Sequence, residues 1–147
     1  MAANHHATLV ILGDKGVLIT GPSGSGKTGL ALALLRLCAA GGRFARLVSD
    51  DQVFVRESGG RLIGSVPPSI EGLAEARGFG PASLVHERAA VIDLLVRLVP
   101  PDVAPRFQEV EAEFIEEVSL ARLDLPAGNA EGAVMAIAAR LLLPPFG

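Results

Sequence analysis

The sequence predicts one α/β domain in which a mixed β-sheet is flanked by helices. Its 147 residues are 50% hydrophobic, which is ample for a single core and far too apolar for a disordered chain. Short apolar and β-branched runs alternate with turn signals, as expected for strands and hairpins, and two Ala- and Leu-rich segments predict helices. No internal repeat or dividing linker is visible, so we expect residues 1–147 to form a single domain.

The first elements are predicted to be a hairpin, a helix and a strand. Residues 8–12 and 16–20 are apolar runs around a turn with glycine at each end, which is the pattern of a β-hairpin. Residues 29–40 predict a helix, because they are rich in Ala and Leu and are followed by Gly41 and Gly42, a common C-terminal stop. Residues 46–49 then predict a buried strand.

The remaining elements are predicted to be mostly strands. Residues 52–56 and 61–65 alternate around a glycine-bearing turn and predict a second hairpin. A short helix capped by Ser69 is expected over residues 69–74. Residues 89–99 fit a helix or a buried strand, and their Val, Ile and Leu content favours the strand. Residues 114–125 predict one or two strands, and residues 130–143 predict a C-terminal helix that ends before two prolines.

The composition argues against several classes of function. A net charge of −3 and 4% aromatic residues do not provide the basic face and stacking rings of a nucleic-acid binder. Apolar runs are interrupted before the ~18 residues of a membrane span, and no signal-peptide pattern is visible. The single cysteine, Cys38, favours a reducing compartment and is expected to be a small core residue. We therefore expect a cytoplasmic domain without a nucleic-acid or membrane partner.

Residues 21–28 carry the most specific motif in the chain. They match G-x-x-x-x-G-K-[ST] at every fixed position, after a predicted strand and before a predicted helix, which is the context that a phosphate-binding loop requires. Backbone N–H groups and the helix N-terminus would bind phosphates, Lys27 would reach them as a point charge, and Thr28 would ligate Mg²⁺. The alternative is a chance Gly/Ser turn. The predicted nucleotide-binding residues are Gly21, Pro22, Ser23, Gly24, Ser25, Gly26, Lys27 and Thr28.

An acidic pair follows the predicted strand at residues 46–49. A nucleotide site needs a carboxylate near Mg²⁺, usually at the end of a neighbouring strand, and Asp50 and Asp51 stand at such an end. Adjacent residues of an extended chain point to opposite sides, so in that geometry only one of them faces the γ-phosphate. A carboxylate there is also what a kinase needs to accept a hydroxyl proton. The alternative is a solvated acidic turn.

These motifs occur in an order that resembles the catalytic domain of HPr kinase/phosphorylase, which phosphorylates a serine of the phosphocarrier protein HPr. His6 precedes Lys27 by 21 residues, and a strand-turn-strand, LVILGDKGVLITG, leads into the loop GPSGSGKT. The Asp pair follows in LVSDDQV. A segment with two prolines, IGSVPPSI, then precedes EARGFG, which has the family's form E-x-R-G-x-G. A generic phosphate-loop protein has no reason to carry this last motif.

The resemblance implies roles for individual residues around ATP and Mg²⁺. Lys27 would hold the phosphates, and Thr28 and Glu75 would ligate Mg²⁺. Arg77 belongs to the signature segment, and Arg106 matches an active-site arginine that follows the long apolar strand. From the residues alone, Glu75 and Arg77 would share one face of a strand, and their other interpretation is a surface ion pair.

The resemblance also implies the phosphotransfer chemistry. Asp51, with Asp50 beside it, would be the general base that takes the proton of the substrate serine, and His6 would orient or tune the pair. From composition alone, His6 and its neighbour His5 are more readily explained as solvent-exposed residues near a terminus. In the family a basic, glycine-containing loop near the C-terminus affects dephosphorylation, whereas residues 125–131 here carry no basic residue. This favours the kinase direction over the phosphorylase direction.

The family implies a nucleotide fold like that of phosphoenolpyruvate carboxykinase, in a short form that consists of the C-terminal catalytic domain. It also implies a homo-oligomer, a hexamer in the family, and HPr or an HPr-like carrier as the protein partner. Two other functions stay open on the sequence. One is a nucleotide-binding regulatory module without turnover, and the other is a small-molecule phosphate-loop kinase, against which the hairpin before the loop argues.

Overall fold

The computed structural model describes residues 2–108 and 112–147, and the elements below belong to these ranges. The strands and helices are β1 (Ala3–His5), β2 (Ala7–Leu12), β3 (Lys15–Thr20), α1 (Lys27–Ala40), β4 (Ala45–Ser49), β5 (Val53–Ser58), β6 (Arg61–Ser65), β7 (Leu73–Ala76), β8 (Gly80–Ser83), β9 (Ala89–Val99), β10 (Ala112–Ile115), β11 (Val118–Pro126) and α2 (Ala130–Leu141).

Most strands join one mixed sheet of nine strands, with the order β1-β5-β6-β9-β3-β2-β4. The long strand β9 pairs along one edge with β6 through its first half and with β11 through its second half. Its pairings with β3 and β11 are parallel, whereas the hairpins β2–β3, β5–β6 and β10–β11 are antiparallel. The predicted mixed sheet is therefore confirmed, and β7 with β8 forms a separate two-stranded sheet.

The core lies on both faces of the sheet. Val17 and Ile19 belong to a hydrophobic cluster that also contains buried residues of α1 and α2. Leu18, which lies between them, belongs to a second hydrophobic cluster on the opposite face of the sheet. This division follows from the alternation of side chains along a strand. The second cluster includes Val53 and Leu62, so the sheet curls until β5 and β6 cover the face that the helices leave open.

The parallel strands fix the position of the site. Strands β3, β9 and β11 run in the same direction, so their carboxyl ends meet at one edge of the sheet. At that edge β3 leads into the glycine-rich loop and then α1, and β11 leads into α2. In open α/β sheets, ligands commonly bind outside the carboxyl ends of the strands.

One predicted element is wrong, and three strands, β1, β7 and β8, were not predicted. Instead of a helix over residues 69–74, the chain forms a short 3-10 turn, Pro68–Ile70, which has no side-chain cap, and then enters β7. Gly72 adopts a φ of +73°, which a helix does not allow, and hydrogen bonds to β8 hold Ala74 extended. Strand β1 pairs with β5, which is distant in the sequence, so local pattern gave no signal for it. Strands β7 and β8 pair with each other in a short hairpin, and the helix predicted over residues 69–74 concealed it.

The other predicted elements are confirmed with small shifts at their ends. Residues 89–99 form a strand, as their β-branched content favoured. Residues 114–125 form the two strands of a hairpin, and the C-terminal helix ends two residues earlier than expected. Cys38 is fully buried on α1, and burial raises the pKa of its thiol, as expected for a core residue.

An ion pair between two parallel strands predicts a loss of stability in acid. Arg97 on β9 donates two hydrogen bonds of 2.8 Å to Asp124 on β11, and these hold the pKa of the Asp124 carboxyl below its ordinary value. A lowered pKa stabilises the fold above the unfolded-state value of about 3.9, and this contribution disappears as the pH falls through the folded value. We expect Asp124→Asn to lower the free energy of unfolding at pH 7 by about 2 kcal/mol.

The measurement is urea unfolding at pH 7 and below pH 4. The difference between wild type and the Asp124→Asn variant should shrink in acid, because the wild-type carboxyl becomes neutral there. Asp14→Asn, a change in the exposed turn before β3, is the matched control and should follow wild type at both pH values. A variant deficit of equal size at both pH values would contradict the assignment.

Candidate active site

The glycine-rich loop between β3 and α1 has the backbone of a phosphate cradle. Gly24 and Gly26 have φ values of +82° and +99°, a backbone region that residues other than glycine seldom adopt. Helix α1 begins directly at Lys27, so its N-terminal N–H groups face the loop. These donors and the helix dipole favour an anion at this point.

Lys27 lies folded over this loop. It is only 6% exposed, and its Nζ donates to the main-chain oxygens of Gly21 at 2.9 Å and Pro22 at 3.2 Å. These neutral acceptors hold the ammonium beside the loop without neutralising its charge. A phosphate oxygen is a stronger acceptor, because a hydrogen bond between two charged groups is stronger than one to a neutral carbonyl.

Asp50 connects three parts of the chain beneath the loop. Its Oδ1 accepts hydrogen bonds from the hydroxyls of Thr28 at 2.7 Å and Thr8 at 3.0 Å. Its Oδ2 accepts from the main-chain N–H of Glu75 at 3.1 Å. With 7% of its surface exposed, Asp50 is held by β2, α1 and β7 together. Thr8 was not predicted as a site residue, because nothing local distinguishes it from other threonines in strands.

Asp51 takes a different position from its neighbour. Its φ of +71° turns the chain out of the extended conformation, so the two carboxylates need not point to opposite sides. His6 Nε2 lies 2.5 Å from Asp51 Oδ1, and both side chains are more than half exposed. The main-chain N–H of Asp51 also donates to Thr8 Oγ1 at 3.3 Å. The structure thus pairs His6 with the acidic pair, 45 residues away in the sequence.

Two cavities meet at these side chains. The first, which we call the loop cavity, has a volume of about 480 Å³ and is lined by residues 23–29 together with Leu32, Asp51, Glu75, Arg77 and Gly128. The second, which we call the hairpin cavity, has about 420 Å³ and is lined by Thr28, Asp50, Asp51, Ile70, Leu73, Ala74, Glu75 and Pro81. Thr28, Asp51 and Glu75 belong to both, so they stand at the boundary between the two cavities.

The signature segment reaches the site on the β7–β8 hairpin. Glu75 lies on β7, whereas Arg77 lies in the turn that follows, so the strand alternation expected for the two residues does not apply. Both nevertheless line the loop cavity. Gly78 and Gly80 have positive φ values that allow this tight turn. Phe79 at its tip is 82% exposed.

Arg106 does not join these residues. It follows β9 at the same edge of the sheet, but its guanidinium stacks over the Phe107 ring at 5.5 Å, and it lines neither cavity. Gly128, which was not predicted, does reach the site, because its N–H donates to Ser25 O at 3.3 Å and so brings the β11–α2 connection beside the loop. Glycine in an irregular connection carries no local signal of such a contact.

The residues around Thr28 fit a magnesium ion bound together with phosphates. Among the described residues no group of three or more His, Cys, Asp or Glu side chains could hold a metal alone. Mg²⁺ in nucleotide sites usually takes one or two carboxylates, waters and phosphate oxygens, so such a group is not required. The hydroxyl of Thr28, the carboxylate of Asp50 and the neighbouring Glu75 are hard oxygen donors of the appropriate kind.

The described residues contain no helix that is long and apolar enough to cross a membrane.

Comparison with solved structures gives a TM-score of 0.78 to the HPr(Ser) kinase/phosphatase from Coxiella burnetii, over 95% of this chain and 88% of that one. The two chains are 24% identical, and the likeness therefore concerns the fold.

Curated relatives give the sequence comparison. The HPr kinase/phosphorylase of Clostridium botulinum (strain Eklund 17B / Type B) is 47% identical over 75 residues, 51% of this chain. That of Geobacillus thermodenitrificans is 38% identical over 133 residues, 82% of this chain. The matched segments span 23% and 41% of those two relatives. Residues 1–113 match the family model described as HPr Serine kinase C-terminal domain, and the chain therefore belongs to that family.

Proposed function

We propose that this chain is an ATP- and Mg²⁺-dependent protein serine kinase that phosphorylates HPr or an HPr-like phosphocarrier. The observation that carries the proposal is the boundary between the two cavities. A phosphate loop with its lysine lies on one side, an open cavity lies on the other, and Asp51 borders both. The γ-phosphate and an acceptor hydroxyl must meet at such a boundary for transfer to occur.

The nucleotide triphosphate would lie in the loop cavity. Backbone N–H groups of the loop and the N-terminus of α1 would bind the phosphates, and Lys27 would exchange its two carbonyl contacts for phosphate oxygens. Thr28, Asp50 and Glu75 would hold Mg²⁺, which neutralises charge on the transferring phosphoryl group when it is bound. Arg77 would supply a further positive charge from the hairpin turn.

The serine hydroxyl would approach from the hairpin cavity. Asp51 would accept its proton as the serine oxygen bonds to the γ-phosphorus and the bond to the β-phosphate oxygen breaks, leaving ADP. Asp51 suits this role better than Asp50 because it is exposed, whereas Asp50 is buried with three hydrogen bonds already made. His6 would hold the Asp51 carboxylate in position through its ring nitrogen.

The opposite reaction would be attack of inorganic phosphate on the phosphorus of phosphoserine, which releases the serine hydroxyl and forms pyrophosphate. The connection that contacts the loop through Gly128 carries no basic residue between positions 125 and 131. A second anion beside the loop would therefore gain no positive side chain from this connection. We expect the kinase direction to dominate.

The proposed enzyme is a cytoplasmic homo-oligomer. A groove of about 490 Å³ between α1 and α2, which includes Met135, supports self-association of the chain, and its lining is mostly apolar, with Arg36 and Glu131 as its charged members. Met135 is 38% exposed, and burial of such residues favours association. Analytical ultracentrifugation would test this part separately from activity.

The experiment is transfer of labelled phosphate from [γ-³²P]ATP to purified HPr in the presence of Mg²⁺. Label should appear on HPr, and a Ser→Ala change at the acceptor position of the carrier should abolish it. ATP binding without transfer to any carrier would instead favour a regulatory nucleotide-binding module. Labelling of small metabolites but no protein would favour a small-molecule kinase.

A further inference from the structure

The β7–β8 hairpin is attached to the rest of the molecule at its base. It forms a sheet of its own, and Leu84 N donates to Gly72 O at 3.0 Å where the two strands enter and leave. The hairpin nevertheless carries Glu75 and Arg77, which line the loop cavity. The position of these two residues therefore depends on what holds the base, together with the hydrogen bond from Glu75 N to Asp50.

His86 occupies this base. Its backbone forms a parallel bridge with Leu47 of β4, and the flanking N–H of Glu87 donates to Leu47 O at 2.9 Å. Its imidazole lies against Gly72, where a β-carbon would come within 2.7 Å of the ring. A residue fixed to the main sheet thus fills the space beside the hairpin's entry.

Both ring nitrogens of His86 face oxygen atoms that can only accept hydrogen bonds. Nδ1 lies 3.1 Å from Leu84 O, on the β8 side, and Nε2 lies 3.0 Å from Glu71 Oε2, on the β7 side. A neutral imidazole has one donor nitrogen, whereas the imidazolium has two, so only the charged ring satisfies both contacts. Arg88 Nε also donates to Glu71 Oε2 at 2.9 Å, which keeps that carboxylate in place.

We propose that His86, as the imidazolium, is a positioning residue that clasps both strands at the base of the β7–β8 hairpin with Glu71 and thereby holds Glu75 and Arg77 at the loop cavity. The hydrogen bond to Glu71, followed by that to Leu84, raises the pKa of His86. We call the hydrogen bonds of His86 to Leu84 and Glu71 the clasp. Because the pKa of His86 is raised, the clasp is fully formed below the ordinary histidine pKa of about 6.5 and is lost as the pH rises through the pKa of His86 in the folded protein.

Few charged groups act on this clasp. Glu71 precedes β7 and favours the imidazolium, whereas Arg88, two residues after His86, opposes it. On β4, Arg46 next to Leu47 turns its guanidinium over the Phe44 ring at 4.3 Å. The side chains of His86 and Glu71 are 31% and 27% exposed, so protons reach the pair from solvent.

The test follows hydrogen exchange of the Glu75 amide, which donates to Asp50, between pH 6 and pH 8.5 with the intrinsic exchange rate removed. In wild type we expect protection of this amide to fall roughly fivefold across the range. His86→Gln keeps one donor nitrogen, the side-chain amide, but cannot titrate, so protection of the Glu75 amide should be lower at pH 6 and independent of pH. Glu87→Gln, an exposed neighbour, is the control and should follow wild type.

Several outcomes would overturn the clasp. One is wild-type protection that does not change with pH, a result that needs no variant. Another is a His86→Gln protein in which protection of the Glu75 amide still changes with pH as in wild type, because that change would then come from groups other than His86. The consequence for turnover rests on the proposed kinase function, with a steeper fall in HPr phosphorylation above neutral pH in wild type than in His86→Gln. If hydrogen exchange of the Glu75 amide changes with pH as expected but HPr is not phosphorylated, the result supports the clasp and contradicts the kinase proposal.

Discussion

Replacing Lys27 with alanine should reduce phosphate transfer to HPr by about 10³-fold or more, because a γ-phosphoryl group at the loop would lose the positive charge that Lys27 holds there. In the folded chain the Lys27 ammonium already lies at the loop, held by the carbonyls of Gly21 and Pro22. Its position thus requires little rearrangement when phosphates arrive. Steady-state transfer from labelled ATP, with enzyme folding checked by circular dichroism, measures the effect.

Lys15 offers a matched control, since it is the other lysine of the chain and lies exposed at the start of β3. Lys15→Ala should transfer phosphate at the wild-type rate. Lys27→Arg should remain impaired, because the larger planar guanidinium does not replace a compact ammonium in a buried position. Equal activity of Lys27→Ala and wild type would contradict both the assignment of this loop as the phosphate-binding loop and the kinase proposal.

Replacing Asp51 with asparagine should lower the turnover number by about 10²- to 10⁴-fold while leaving the affinity for ATP nearly unchanged. The exchange removes the proton acceptor and keeps the size of the side chain. Asparagine also tolerates the left-handed backbone conformation that residue 51 adopts, so the fold should persist. The measurements are the transfer rate at saturating ATP and the dissociation constant of a fluorescent ATP analogue.

Asp50→Asn distinguishes the two carboxylates. Asp50 binds the hydroxyl of Thr28 and the N–H of Glu75, so its loss should weaken Mg²⁺-dependent nucleotide binding as well as turnover. It should also destabilise the fold, because the side chain is buried with several donors around it. If Asp50→Asn impairs turnover alone and Asp51→Asn impairs binding, the roles of the two residues are reversed.

Local sequence determined the elements that need few distant partners. The phosphate loop could be recognised because its glycines, lysine and threonine are contiguous, and the flanking strand and helix follow from composition. The hairpins β2–β3 and β5–β6 were likewise predictable, since glycine-bearing turns join strands that pair with each other. The signature at residues 75–80 indicated the family but not its own hairpin, because strand β7 pairs only within a small separate sheet.

The tertiary structure decided which side chains meet. Sheet order places His6 beside Asp51 across 45 residues and brings Thr8, Thr28 and Glu75 to Asp50, contacts that no local pattern encodes. The left-handed backbone at Asp51 also overrode the alternation expected for an extended pair. Strand register and backbone turns are set by packing of the whole core, so they become visible only when the sheet is assembled.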